Sequence, residues 1–137
     1  MIKQIVFLKK RDDMSMEDFM DYYENQHSRL SKKMGAKPAL PNAQRYVRRY
    51  LAPEANPLTG AVIHPGYDCI MEIWWNSRAD FEAAMKGLSD PAMLEHRMAD
   101  ERKLFASNNN PVCTAVEHDS PVGPENRIPR CEPVFED

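Results

Sequence analysis

Residues 67–75 constrain the fold most, because the two alternating sets of side chains in this stretch differ in character. One set is wholly apolar and consists of Cys69, Met71, Ile73 and Trp75. The other set is mixed and consists of Asp68, Ile70, Glu72 and Trp74. Successive side chains of a strand point to opposite faces of its sheet. The stretch therefore predicts a strand whose apolar face is covered by helices and whose mixed face suits a partly polar cavity.

Residues 15–30 predict an amphipathic helix with an ionisable side chain on its buried side. Ser15 and Asp18 have the spacing of a capping box, and Gly35 with the prolines that follow ends the helix. At about 100° per residue, one side of the helix carries Phe19, Tyr23, His27, Leu30 and Met34. This apolar stripe has to pack against the sheet, and it brings His27 with it.

The remaining hydrophobic patterns predict the other strands and helices of the chain. Further strands are predicted at 2–9, 43–51 and 112–116, and further helices begin near 77 and 91, the second continuing to about 105. Strand 43–51 carries charges on both faces, which favours the edge of a sheet. The order β-α-β-β-α-β predicts an α+β, ferredoxin-like fold with an antiparallel four-stranded sheet.

Two segments fall outside this pattern. Residues 52–66 are rich in proline and glycine and predict a long loop, of the kind that often closes over a site. Residues 119–137 contain four prolines and little periodicity. We therefore expect one domain over residues 1–118 and an extended C-terminal tail over 119–137, which could lie along a partner subunit.

Composition excludes several classes of protein. A chain of 137 residues with a net charge of −3 lacks the basic surface typical of nucleic-acid binding. No apolar run reaches the roughly 20 residues that span a bilayer, so no membrane segment is predicted. The three cysteines are odd in number and lack zinc-ligand spacing, which predicts a reduced, cytoplasmic protein. Without a facial triad or a glycine-rich phosphate loop, we expect neither metal nor cofactor.

The ordered set of residues resembles the EthD-domain family over roughly residues 2–119. The N-terminal part of the resemblance comprises residues 7–11, Met14, Ser15, Phe19, Tyr23 and His27. It continues in register through residues 48–50, Tyr67, Asp68, residues 72–74, Phe81, Ala84, Met85, Asp100, Glu101 and residues 116–118. The resemblance implies a dimeric α/β barrel, in which two four-stranded sheets close edge to edge. It also implies relatives among methylmuconolactone isomerases, polyketide cyclases and dehydratases, and cofactor-free or haem-dependent monooxygenases.

His27 is the first candidate for a catalytic role. We expect the helix-free face of the sheet to line the cleft, with His27 reaching it around the sheet margin. Histidine titrates near neutral pH and suits proton transfer, although its spacing alone equally allows a core histidine bonded to a carbonyl. Tyr23 could orient His27 or simply pack in the core. Glu72, beside Trp74, could hold a proton, or it could form an ion pair with Arg45 or Arg48 on the edge strand.

Six further side chains are candidates for substrate binding. Tyr22 could donate a hydrogen bond to a carbonyl oxygen, Arg48 could bind a carboxylate or phenolate, and His64 could close over a ligand or remain solvated. The other three candidates lie on the predicted strands and are Tyr46, Asp68 and Trp74. If Ile70, Trp74 and Tyr46 share the open face, that face predicts a homodimer that buries it.

These expectations favour a cofactor-free isomerase, cyclase or dehydratase. Its substrate would be a small hydrophobic oxo, enol or lactone compound derived from an aromatic or a polyketide. The alternatives are a monooxygenase of the same fold, cofactor-free or haem-binding, and a non-catalytic dimeric protein that binds a ligand or a partner enzyme.

Overall fold

The computed structural model describes residues 1–35 and 38–122. Its elements are β1 (Ile2–Leu8), α1 (Met16–Asn25), a 3-10 turn (His27–Arg29), α2 (Leu30–Lys33), β2 (Ala43–Tyr50), β3 (Cys69–Trp75), α3 (Arg78–Leu88), α4 (Pro91–Glu101) and β4 (Val112–Ala115). The predicted tail lies mostly outside the described residues, which end at Val122.

The four strands form one antiparallel sheet in the order β2-β3-β1-β4. This arrangement confirms the ferredoxin-like βαββαβ prediction, with β2 at an edge. Side chains alternate in burial along β1, where Ile2, Gln4, Val6 and Leu8 face the helices. On β3, Cys69, Ile73 and Trp75 are buried on the same side, as the alternation predicts.

The predicted helix starts are confirmed by their hydrogen bonds. The backbone N–H of Asp18 donates to Ser15 Oγ at 3.0 Å, and that of Asp80 donates to Ser77 Oγ at 3.1 Å. Each bond satisfies one of the N–H groups that a helix start leaves free. The first helix is shorter than predicted because its regular geometry stops at Gln26, where φ is −119°. His27 therefore lies in the 3-10 turn after α1.

Two groups of buried side chains hold the helices on the sheet. In the first, the ring centroids of Phe19 and Phe105 are 6.0 Å apart, and Tyr23 lies 6.2 Å from Phe105. The second surrounds Trp75, which is fully buried and donates from Nε1 to Gln4 Oε1 at 3.0 Å. This bond satisfies two polar groups inside the core.

The other face of the sheet, here called the helix-free face, is partly apolar. On it, Trp74 lies between two cations, with Lys3 Nζ at 4.1 Å and Arg45 Cζ at 4.9 Å from the ring centroid. Ile5 and Ile70 are only half-buried there. Tyr46 was expected on this face, but it pairs with Ile73 and packs on the helix side, so that placement is wrong.

Among the described residues, no helix is both long and apolar enough to cross a membrane.

The aromatic cluster predicts a strong effect of one substitution. Phe19 is 0% exposed, so Phe19→Ala removes a packed ring and leaves a cavity. We expect it to lower the free energy of unfolding by about 3–5 kcal/mol, measured by urea denaturation. Met20, next to it on α1, is 36% exposed, and Met20→Ala is the matched control with an expected loss below about 1 kcal/mol. Equal losses in the two variants would contradict this account of the core.

Candidate functional site

A cavity of about 770 Å³ lies between the helices and the sheet. Its sheet wall consists of side chains from β1, β2 and β3, namely Gln4, Val6, Leu8, Tyr46, Met71 and Ile73. Its helical wall comprises residues of the helices, of the 3-10 turn and of the segment that follows α4. They include Tyr23, His27, Leu30, Ser31, Met85, Leu88, Leu94, Arg97, Met98, Glu101 and Phe105. The volume is within the range of about 300–1,000 Å³ typical of small-molecule sites. The expectation that the helix-free face lines the cleft of His27 is wrong, because His27 stays on the side where α1 packs against the sheet.

His27 is held by a buried carboxylate on α4. Its Nδ1 lies 2.6 Å from Asp100 Oδ2, and the Tyr22 hydroxyl donates to Asp100 Oδ1 at 2.6 Å. Asp100 is only 6% exposed, so these bonds supply the partners that a buried carboxylate needs. In the neutral imidazole, the hydrogen on Nδ1 is donated to Asp100, and Nε2 keeps its lone pair. Nε2 has no hydrogen-bond partner among residues 1–35 and 38–122, which makes it the atom available for proton transfer.

The charge of Asp100 is stabilised by its two donors. Burial acts to raise the pKa of Asp100, but the hydrogen bonds from His27 and Tyr22 outweigh burial and lower it below its ordinary value. Burial, together with the bond to Asp100, raises the pKa of Tyr22 to about 12. Asp100 is therefore a carboxylate at neutral pH that can stabilise a protonated His27, as the aspartate of a catalytic triad does.

Glu101 supplies a second titratable group to the cavity. Burial raises the pKa of this carboxyl, although a hydrogen bond from Asn108 Nδ2, 3.2 Å from Oε2, acts in the opposite sense. Burial therefore disfavours the charged form of Glu101. The cavity thus places a second carboxyl group near the imidazole that Asp100 holds.

Two tyrosines complete the polar part of the wall. The hydroxyls of Tyr23 and Tyr46 are 2.7 Å apart, and the ring of Tyr23 lies 4.9 Å from that of His27. Burial raises the pKa of Tyr46 to about 12 and that of Tyr23 well above its ordinary value. Both therefore remain phenols at neutral pH, and when Tyr23 donates within the pair, the O–H of Tyr46 is free to donate to a ligand oxygen.

Arg48 does not line this cavity. It lies on the edge strand, where its guanidinium forms an ion pair with Glu24 of α1 and stacks on the ring of Tyr46 at 4.5 Å. Glu24 also accepts a hydrogen bond from Tyr50 at 2.5 Å. Arg48 is thus engaged in fastening α1 to the sheet.

Glu72 and Trp74 lie on the helix-free face, away from His27. Arg49 Nη2 is 3.2 Å from Glu72 Oε2, so the ion pair with an edge-strand arginine is present, although its partner is Arg49. Asp68 and His64 form another separate pair, with 3.2 Å between His64 Nε2 and Asp68 Oδ1. Asp68 also accepts from the backbone N–H of Lys10, which ties the start of β3 to the end of β1. The structure brings none of these four to the cavity.

The sequence reasoning assigned no role to three charged residues of α4. Arg97, Asp100 and Glu101 occur in a segment whose positions 94, 97, 98 and 101 have the i, i+3, i+4, i+7 spacing of one helix face. Apolar side chains normally fill such a face, and charged residues on it are the signal that could have indicated a polar cavity.

Comparisons with known proteins agree with the fold. The sequence model of the EthD domain matches residues 11–108. A protein of Arabidopsis thaliana has a similar structure, with a TM-score of 0.55 and 14% identity over 89% of this chain and 100% of its own. An EthD-family protein from Bacillus halodurans has a TM-score of 0.52 and 13% identity over 85% of this chain and 99% of its own.

A hydroxynitrile lyase from Passiflora edulis has a TM-score of 0.47 and 17% identity over 83% of this chain and 90% of its own. No curated protein sequence matches. At these identities the likenesses to the Arabidopsis and Bacillus proteins show a shared fold and carry no information about a reaction.

The lowered pKa of Asp100 predicts how acid affects stability. The folded state favours the ionised form of Asp100. Its contribution to the free energy of unfolding is therefore present above the ordinary pKa of 3.8 and is lost as the pH falls through the lower pKa of the folded state. We expect urea denaturation to show a smaller loss of stability on acidification in Asp100→Asn than in the wild type. Asp12→Asn, in an exposed turn, is the control and should follow the wild type. Identical profiles for wild type and Asp100→Asn would contradict the assignment.

Proposed function

The chain belongs to the EthD-domain family, within the dimeric α/β-barrel superfamily, and on this premise we propose that it is a small-molecule enzyme in which His27 transfers a proton. The observation that carries the proposal is the hydrogen bond between His27 Nδ1 and Asp100, which leaves Nε2 without a partner among the described residues. An oriented imidazole on the wall of a largely apolar cavity is the arrangement that general base catalysis requires.

The proposed reaction is an isomerisation, cyclisation or loss of water in a hydrophobic oxo, enol or lactone compound. Nε2 removes a proton from a carbon next to a carbonyl group, and the electron pair moves to the carbonyl oxygen to form an enolate. Asp100 stabilises the imidazolium that results. The proton then passes from the His27 imidazolium to another atom of the same molecule. If Glu101 donates this proton instead, the imidazolium gives its own proton to Glu101 afterwards, so the enzyme is restored and the reaction consumes no other reagent.

Two features of the cavity support this substrate class. Apolar side chains from both walls surround the site, including Val6, Ile73 and Phe105. Tyr46 offers a phenolic O–H that can stabilise an enolate oxygen. Tyr46 on the sheet wall and His27 on the helical wall lie close together, since Tyr23 contacts both.

A homodimer and a cytoplasmic location are part of the proposal. The helix-free face is partly apolar, and Trp74 Nε1 on it is buried without a hydrogen-bond partner in the described chain. A second sheet over this face would bury Ile5, Ile70 and the edge of Trp74. The free thiols of Cys69 and Cys113 suit a reducing compartment such as the cytoplasm.

The role of His27 can be tested before the natural substrate is known. The exchange of α-hydrogens of 2-tetralone, a bicyclic ketone, for deuterium in D2O is followed by NMR. We expect the wild type to accelerate the exchange and His27→Gln to lose about 10²–10⁴-fold of that acceleration, because glutamine cannot accept the proton. Glu101→Gln should have a smaller effect, since His27 can return the proton itself.

The control for this experiment is His96→Gln, because His96 is exposed on α4. It should retain the wild-type rate, and all variants should retain cooperative unfolding. A folded His27→Gln protein that exchanges at the wild-type rate, or a wild type without any acceleration, would contradict the mechanism. Oxygen uptake with a quinol, or a Soret band in the purified protein, would favour the monooxygenase alternative instead.

The dimer can be tested by light scattering. We expect the wild type to have twice the chain mass of 15.8 kDa at micromolar concentration. Ile70→Lys places a charge in the centre of the helix-free face and should shift the protein towards the monomer, because burying an unpaired charge is unfavourable. Ile63→Lys, in the loop where Ile63 is 73% exposed, is the control and should remain dimeric. A monomeric wild type would refute this part of the proposal.

A further inference from the structure

Arg97 is a cation on the cavity wall whose charge is not balanced by the described residues. Its Nε has less than 1 Å² of exposed surface and no hydrogen-bond partner in the described chain. Its only hydrogen bond within residues 1–35 and 38–122 joins Nη1 to Ser31 Oγ at 3.4 Å, a long distance for such a bond. A guanidinium has five N–H donors, so most of its capacity is unused there.

The natural partner for Arg97 within α4 is engaged elsewhere. Arg97 and Glu101 are four residues apart, the spacing at which opposite charges on a helix usually meet. No ion pair within 4.0 Å links Arg97 to any described carboxylate. Glu101 instead accepts from Asn108, and Asp100 accepts from His27 and Tyr22. The guanidinium therefore remains available to a ligand in the cavity.

We propose that the cavity binds a hydrophobic carboxylic acid, with its carboxylate on Arg97 and its reactive carbon at His27. The inference rests on the proposed function, because it names the substrate class for the same site. A planar carboxylate matches the fork of N–H groups that a guanidinium presents. Arg97 precedes Glu101 by about one helical turn, a rise of roughly 6 Å along the axis. One small molecule can therefore contact Arg97 and the proton-transfer groups together.

The binding test uses 2-naphthoate and 2-naphthamide, which have the same ring system and differ in charge. Calorimetry at neutral pH should show that the wild type binds naphthoate roughly 10- to 100-fold more tightly, as expected of hydrogen bonds to a charged group. Arg97→Gln should remove this preference and leave the affinity for naphthamide unchanged. Arg102→Gln is the matched control, because Arg102 is exposed at the end of α4 and does not line this cavity.

The failure of this inference can be told apart from the failure of the proposed function. His27→Gln should keep the preference for naphthoate even though it loses the exchange activity. If His27→Gln keeps its exchange activity but Arg97→Gln loses the preference, the mechanism fails and the carboxylate site stands. Equal affinities in the wild type, no binding of either compound at millimolar concentration, or a preference retained in Arg97→Gln would overturn the inference.

A stability measurement separates ligand binding from a structural role. If Arg97 is an unbalanced cation in the empty protein, Arg97→Met should raise the melting temperature by about 2–5 °C, because it removes that charge and keeps the length of the side chain. A lower melting temperature would show that Arg97 supports the fold, and it would also overturn the inference. Naphthoate should raise the melting temperature of the wild type more than naphthamide does, whereas the two compounds should raise that of Arg97→Met equally.

Discussion

The hydrogen bond between His27 and Asp100 is the interaction on which the proposed site depends. It joins the 3-10 turn after α1 to α4, two segments 73 residues apart in the chain. The bond orients the imidazole and fixes which nitrogen carries the hydrogen in its neutral form. It also satisfies a buried carboxylate that would otherwise destabilise the fold. One contact therefore joins the turn after α1 to α4 and fixes the orientation of the imidazole.

The inner face of α4 shows how the chain combines a core with a polar site. Leu94 and Met98 give this face apolar contacts, while Arg97 and Glu101 bring charge to the cavity. Filling the same positions with apolar side chains would favour stability, because buried charges are expensive to desolvate. Keeping these charged residues leaves an open cavity and an unbalanced positive charge on Arg97, which a negatively charged ligand can neutralise. Functional sites commonly lower stability in this way.

The fold could be predicted from the sequence because its signals are local. The alternation in residues 67–75, the caps at Ser15 and Ser77 and the order of elements all survive in the structure. The site could be predicted only in part. His27, Tyr23 and Tyr46 line the cavity, whereas the partnership with Asp100 and the contribution of α4 depend on how distant helices pack. No local pattern specifies that packing, and so the sequence indicated Glu72 and assigned no role to Glu101.

The alternation in β3 specified two faces but not which of them holds the cavity. A mixed face such as that of Glu72 and Trp74 is compatible with a pocket and also with a surface that meets another sheet. The cavity lies on the helix side, and Glu72 is paired with Arg49. The sheet thus separates the cavity on its helix side from the face that we propose to meet a second sheet. Substitutions on one face should consequently affect the other mainly through the stability of the sheet between them.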